Sequence, residues 1–227
     1  MVTRGVEVGM RDGHRVAGAL AEPPGKSSAP AIVIVHEWWG LNEGMHQMAE
    51  RFAAEGFLAL AIDLYRGRST YDGAEAMALA NALSTAEAMK DIALGVRFLK
   101  EQPRSNGEVV ITGFCLGGAM ALAAICNVDG LSAAVPFYGI PKPEFLDFAQ
   151  ARGPILAHFG KQDPIIPAER PIALAEQAQA AGASFELHLY DAGHAFMRER
   201  DPDAYDADSA NLAWERTVVF LREHLSA

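Results

Sequence analysis

Cysteine is scarce in this chain: Cys115 and Cys126 are the only two, and they form no CxxC pair. A disulfide framework and a cysteine zinc site are both excluded on that count. No uninterrupted apolar run reaches the roughly 18 residues that a membrane-spanning helix needs. The opening stretch, MVTRGVEVGMRDGHR, has no apolar core of signal-peptide length. The expectation is a soluble, cytoplasmic protein with no membrane partner. Cationic side chains are also outnumbered, with 19 Lys and Arg against 29 Asp and Glu and a net charge of −10. The averaged field repels a phosphate backbone, so no nucleic-acid partner is expected, although nearby basic residues can still receive a small anion. Internal repeats, low-complexity tracts and domain linkers are missing too. What is present is apolar substance: half of the 227 residues are hydrophobic, enough to bury one core, and a single α/β domain spanning residues 1–227 is expected.

The apolar pattern supplies the order of elements. Alternating stretches at 6–10 and 15–21 flank Asp12-Gly13, a two-residue hairpin signal. Nearly continuous apolar runs follow at 31–36 (AIVIVH) and 57–63 (FLALAID), as in strands covered on both faces, with a helix-compatible segment at 44–55 between them. The alanine-rich region 74–101 reads as one or two helices, with Pro103 just beyond it. Further strands are expected at 108–114, 131–137, 154–160 and 185–190, and further helices near 168–181 and 207–225. Strands alternating with helices imply a mostly parallel central sheet with helices on both faces, a three-layer α/β architecture.

Between the strand EVVITGF and the helix-like AMALAAIC lies GFCLGG, residues 113–118. A nucleophile elbow is written G-x-S-x-G because small flanking residues let the backbone take a strained turn that lifts the nucleophile clear of the sheet. Gly113-Phe114-Cys115-Leu116-Gly117 has that form with sulfur in place of oxygen. The following helix brings free N–H groups and its positive dipole end to Cys115, favouring a thiolate and a developing oxyanion. Taken alone, the motif also suits a buried structural cysteine on a packing turn. Two later residues add weight, because a triad on such a sheet runs nucleophile, acid, base along the chain at successive strand ends. HFGKQDPIIP supplies Asp163, and LYDAGHAF supplies His194. In this reading His194 takes the Cys115 proton, Asp163 orients the imidazole, and Cys115 forms a thioester that water hydrolyses. Asp191 is the second choice for the acid, lying too close to His194 in the chain to come from a separate strand end. HEWWG at 36–40 begins like a zinc-protease H-E-x-x-H but has Gly40 where the second His is required, and His46, His158 and His188 show no metal spacing. Cys126 reads as a small packed hydrophobe.

HEWWGLN, DLYRG, GFCLGG, GKQDPIIP and AGHAF together resemble, in order and spacing, the dienelactone hydrolases. These carboxymethylenebutenolidases open a lactone ring in chlorocatechol and related aromatic degradation. The resemblance covers nearly the whole chain, and the cysteine elbow combined with H-E-x-x-G is specific to that family. It implies an α/β-hydrolase fold, a Cys115–His194–Asp163 triad, and no metal or organic cofactor. It also implies that Glu37 contacts the nucleophilic cysteine and responds to substrate, and that the main-chain N–H groups of Leu116 and Trp38 form the oxyanion hole. The alternative reading of Glu37 is a hydrogen-bonded carboxylate steadying the loop after AIVIVH. Trp39, with Trp38, is placed to wall an acyl pocket or to pack in the core.

Family members hold a substrate carboxylate with two arginines. Arg198, four residues after His194, matches the first, but residues 70–89 contain no arginine for the second, although Arg66 and Arg68 lie just upstream. The expected partner is a small lactone or ester, and the expected chemistry is cysteine-dependent hydrolysis without a protein partner. The chain reads as a monomer, with a weak homodimer as the alternative. A broader carboxylesterase or thioesterase is the competing hydrolytic reading. A non-catalytic small-ligand binder with a redox-sensitive Cys115 is the third.

Overall fold

A computed structural model describes residues 2–25 and 27–225. Its chain opens with β1 (Arg4–Arg11) and β2 (His14–Ala21), joined through Asp12 and Gly13, both at positive φ, as the hairpin signal predicts. Then come β3 (Ala29–Val35), α1 (Glu43–Ala54), β4 (Leu58–Asp63), α2 (Gly73–Ala82) and α3 (Thr85–Lys100). β5 (Ser105–Phe114), α4 (Leu116–Asn127), β6 (Ala133–Phe137), β7 (Ile155–Gly160), α5 (Glu169–Ala180), β8 (Phe185–Tyr190) and α6 (Ala207–His224) complete the order. The alanine-rich region is thus two helices. Ser84 caps the second by accepting from the Glu87 N–H, so Leu83 and Ser84 are extended where an uninterrupted helix was the other option.

All eight strands form one sheet in the order β1-β2-β4-β3-β5-β6-β7-β8. β2 runs antiparallel to both β1 and β4, and every other pairing is parallel. Side chains alternate between two cores. In β3, Ala31, Val33 and Val35 face α3, α4 and α5, while Ile32 and Ile34 face α1 and α6. That alternation is why the strand reads as a continuous apolar run. α4 is apolar on all sides and buried, and Cys126 packs within it as a small hydrophobe. This is the α/β-hydrolase architecture: three layers, mostly parallel. No helix among the described residues is long and apolar enough to cross a membrane.

The order of strands places the loops that matter. The loops after β4, β3 and β5 are neighbours at the C-terminal edge, with those after β6, β7 and β8 beyond them. Ligand sites on open parallel sheets lie at this edge.

Candidate active site

Cys115 sits between β5 and α4 with φ +54° and ψ −114°, outside the regions that non-glycine residues ordinarily occupy. The turn is held from both sides. The Cys115 N–H donates to the Phe137 carbonyl at 3.1 Å, and its own carbonyl accepts from Ala119 N–H at 3.0 Å. The elbow glycines are required by close approach. A Cβ on Gly113 would stand 2.1 Å from the Gly117 carbonyl oxygen, and one on Gly117 would stand 2.1 Å from that of Val35. The G-x-C-x-G spacing therefore packs the start of α4 directly against the end of β3.

His194, in the loop after β8, reaches both expected partners. Its Nε2 lies 3.1 Å from Cys115 Sγ, and its Nδ1 lies 2.6 Å from Asp163 Oδ2. Asp163, in the loop after β7, has no side-chain surface exposed and also accepts main-chain N–H groups from Ile165 at 2.7 Å and Ile166 at 3.0 Å. Burial by itself would raise its carboxyl, but the hydrogen bonds from His194 and these amides overcome that and hold it below the usual range. Asp191 is elsewhere: its side chain is 79% exposed and pairs with Lys161 at 2.9 Å. The structure thus brings Cys115, His194 and Asp163 into one hydrogen-bonded series and leaves Asp191 outside it.

Burial opposes a charge on His194, yet Asp163 and the adjacent sulfur outweigh it and push the imidazole up from 6.5 to about 9. Between these two values the folded chain binds more protons at His194 than the unfolded chain does. The resulting stabilisation is fully present below pH 6.5 and is lost as pH rises to about 9. Thermal melts across this window should show wild type losing stability more steeply with pH than His194→Gln, which has no proton to lose. Parallel profiles would contradict the raised imidazole.

Glu37 and Arg198 are found together. Arg198 Nε and Nη2 donate to the two oxygens of Glu37 at 2.8 and 2.9 Å, a bidentate pair, and Nη1 donates to Asp201 Oδ2 at 3.0 Å. No hydrogen bond joins Glu37 to Cys115 in this arrangement; the buried carboxylate is turned to the arginine instead. Sequence spacing gave no hint of the pairing, because 161 residues separate the partners. His36 is the other residue whose role was not legible. Its ring is buried, accepts at Nε2 from the Leu64 N–H at 3.1 Å, and therefore donates from Nδ1 to the Glu37 carbonyl at 2.6 Å. In a trans peptide the C=O and N–H point oppositely, so this bond turns the Trp38 N–H away from His36. No acceptor for the N–H of Trp38 or Leu116 is found among the described residues.

A cavity of about 600 Å³ opens beside this cluster, walled by Glu37, Trp39, Met48, Phe114, Tyr138 and Arg198. Phe114 and Tyr138 connect it to the sulfur: one precedes Cys115, and the other packs edge-on to His194 at 5.2 Å. Trp39 lines this cavity with the Arg198 guanidinium 5.7 Å from its ring centre, whereas Trp38 packs tilted against Trp39, ring centres 4.7 Å apart, from outside the cavity wall. Among the described residues no three His, Cys, Asp or Glu side chains converge as a metal cradle would need.

The family model described as the dienelactone hydrolase family matches residues 16–225. Among curated relatives, a carboxymethylenebutenolidase of Pseudomonas putida is 33% identical over 234 residues, covering 97% of each chain. The protein usf of Aquifex pyrophilus is 32% identical over 225 residues, covering 95% of this chain and 96% of that one. Among solved structures, the dienelactone hydrolase-like promiscuous phosphotriesterase P91 from metagenomic libraries superposes with a TM-score of 0.89 at 25% identity, with both chains fully covered. With an elbow cysteine, a strand-end aspartate and a loop histidine on this sheet, and with matches of this length, the chain belongs to the dienelactone hydrolase family.

Proposed function

We propose that this carboxylic ester hydrolase uses Cys115 to open small lactones and activated esters through a thioester intermediate. The observation that carries the reading is the hydrogen-bonded series from Cys115 Sγ through His194 to Asp163. With its proton on His194, the sulfur attacks the ester carbonyl carbon, and the oxyanion is received by the unspent N–H groups of Trp38 and Leu116. The C–O bond then breaks, and His194 returns the proton to the leaving oxygen, which in a lactone stays tethered to the acyl group. Water, deprotonated by His194, cleaves the thioester. Asp163 keeps the imidazole oriented throughout and stabilises its charged form. A thiol suits esters with good leaving groups. The test is steady-state and burst kinetics on a p-nitrophenyl ester and a butenolide, with intact mass spectrometry for the acyl-enzyme. Absence of both turnover and acylation would move the weight to the ligand-binding reading with a redox-sensitive thiol.

The Glu37–Arg198 pair supports an anionic preference. A substrate carboxylate that takes Arg198 releases Glu37, whose freed carboxylate is then able to approach the Cys115 thiol and assist its deprotonation. Arg51 and Arg200 also line the cavity, so Arg198 is not its sole cation. Arg66, paired with Asp91 at 3.4 Å, and Arg68, paired with Glu75 at 3.2 Å, both lie outside the cavity wall, so neither supplies the second arginine of the family pattern. A charge-assisted hydrogen bond contributes about 1.5–3 kcal/mol, and roughly 1.4 kcal/mol is tenfold in rate or affinity. Arg198→Ala should therefore cut the preference for a carboxylated ester over its neutral counterpart by about tenfold or more. Because it also strands a buried carboxylate, the comparison is repeated with Arg198→Ala and Glu37→Gln combined. An unchanged rate ratio in both would remove the anion from the proposal. The lack of an arginine at 70–89 and the size of the cavity favour the broader esterase as the second reading.

A further inference from the structure

Two buried side-chain polar atoms among the described residues have no hydrogen-bond partner, Arg104 Nε and the hydroxyl of Tyr65. Arg104 is otherwise occupied far from the elbow, donating to the Pro23 and Ser27 carbonyls. Tyr65 is different. It is only 6% exposed, and a buried O–H without an acceptor is costly to keep unless something else uses it.

Its surroundings say where that use lies. Tyr65 follows β4 by two residues and packs edge-on against His36, with ring centres 4.6 Å apart. His36 in turn holds the Glu37–Trp38 peptide, and its carbonyl oxygen would stand 2.7 Å from a Cβ on Gly117 of the elbow. Tyr65, the Trp38 peptide and the nucleophile turn are therefore contiguous. The loop is also rigidly built. The buried Asp63 carboxylate accepts the N–H groups of Tyr65, at 2.8 Å, and of Gly67. Arg66, at φ +56°, is tied to Asp91, which Arg11 holds from the other side at 2.7 Å. A donor carried on so fixed a loop keeps its aim without reorganisation.

The strand order then selects its target. Tyr65 lies beyond β4 and Trp38 beyond β3, on one side of Cys115; Asp163 and His194 lie beyond β7 and β8, on the other. The leaving oxygen must face His194, so the opposite side belongs to the carbonyl oxygen. We infer that the Tyr65 hydroxyl is a third hydrogen-bond donor to the carbonyl oxygen of the bound ester, a catalytic residue alongside the two main-chain N–H groups. This rests on the hydrolase reading above. Burial, together with the nearby Cys115 sulfur charge, drives the phenol above its ordinary value, so the proton stays on oxygen, as a donor requires.

Tyr65→Phe removes the hydroxyl alone and keeps the ring against His36. Loss of one such donor in hydrolases costs on the order of 100-fold or more, and one of three should cost about 10- to 100-fold in kcat on a p-nitrophenyl ester. The melting temperature should be unchanged or higher, and a trifluoromethyl ketone, whose adduct with Cys115 carries the oxyanion, should bind about tenfold less tightly. The pH profile of Cys115 alkylation by iodoacetamide should not move. Equal kcat in variant and wild type overturns the inference. So does a shifted alkylation profile that accounts for the lost rate, because the phenol would then serve the sulfur rather than the oxyanion. A lowered melting temperature with intact kcat overturns it as well, in favour of a structural hydroxyl. A wild type inert towards the ester would instead sink the hydrolase reading itself, which keeps the two failures apart.

Discussion

Cys115→Ala should lower kcat on a p-nitrophenyl ester by about 10⁴-fold or more, the scale on which removing a covalent nucleophile disables an enzyme whose relay acts as a unit. The other thiol is the control. Cys126 is 3% exposed inside α4, and burial pushes it up to about 11, so it is neither reachable nor ionised at working pH. Cys126→Ala should leave kcat within about twofold and register only as a modest packing loss. A second substitution at the elbow separates chemistry from strain. Holding a side chain at φ +54° costs of the order of 1–3 kcal/mol, and glycine does not bear that cost. Against this, glycine loses about 0.5–1 kcal/mol more backbone entropy on folding. Cys115→Gly should therefore shift the urea midpoint upward by an amount equivalent to about 1 kcal/mol, with m unchanged, while activity is abolished. An elbow that gains stability as it loses its nucleophile keeps its strain for the position of the sulfur. If Cys115→Gly is the less stable variant, the turn is not strained. If Cys115→Ala retains turnover, the sulfur is not the nucleophile.

What the sequence disclosed follows from which interactions are local. The Asp12-Gly13 hairpin, the apolar strands and the elbow are dictated by backbone conformation and side-chain period, both of which are properties of consecutive residues. Asp163 and His194 were legible for a related reason: chain order on a wound sheet carries them to the same edge as Cys115. Ser84 with Glu87 three residues on is the capping signal that decides between one helix and two in the alanine-rich region. The pairing of Glu37 with Arg198 and Asp201 is another matter, since it depends on how the loops after β3 and β8 lean together. The bond of His36 to the adjacent carbonyl leaves no mark in the sequence. Within DLYRG nothing marks Tyr65, because an unpaired hydroxyl is defined by everything that fails to reach it.

The second large effect is expected at Asp163, and it turns on which atoms face His194. Asp163 Oδ1 receives the Ile165 and Ile166 N–H groups, leaving Oδ2 to accept from His194 Nδ1. In Asp163→Asn the side-chain oxygen stays with those amides, so the new NH₂ group is turned to His194. A donor then meets a donor. The imidazole escapes by moving its proton to Nε2, where it points at Cys115 Sγ and cannot receive the thiol proton. The fold survives, the base is lost, and kcat should fall by roughly 10⁴-fold, the scale of the same change in other triads. Asp191→Asn should change kcat by less than about twofold, because it removes only an exposed pair with Lys161. Nitrogen-resolved NMR of the His194 ring supplies the independent readout: the Asp163 variant should show the Nε2–H tautomer, and wild type should show a proton on Nδ1. The reverse pattern of rates would transfer the acid's role to Asp191 and leave the buried carboxylate structural. Loss of rate without a change of tautomer would mean that Asp163 acts through the charge it presents to the imidazolium rather than through the proton it fixes.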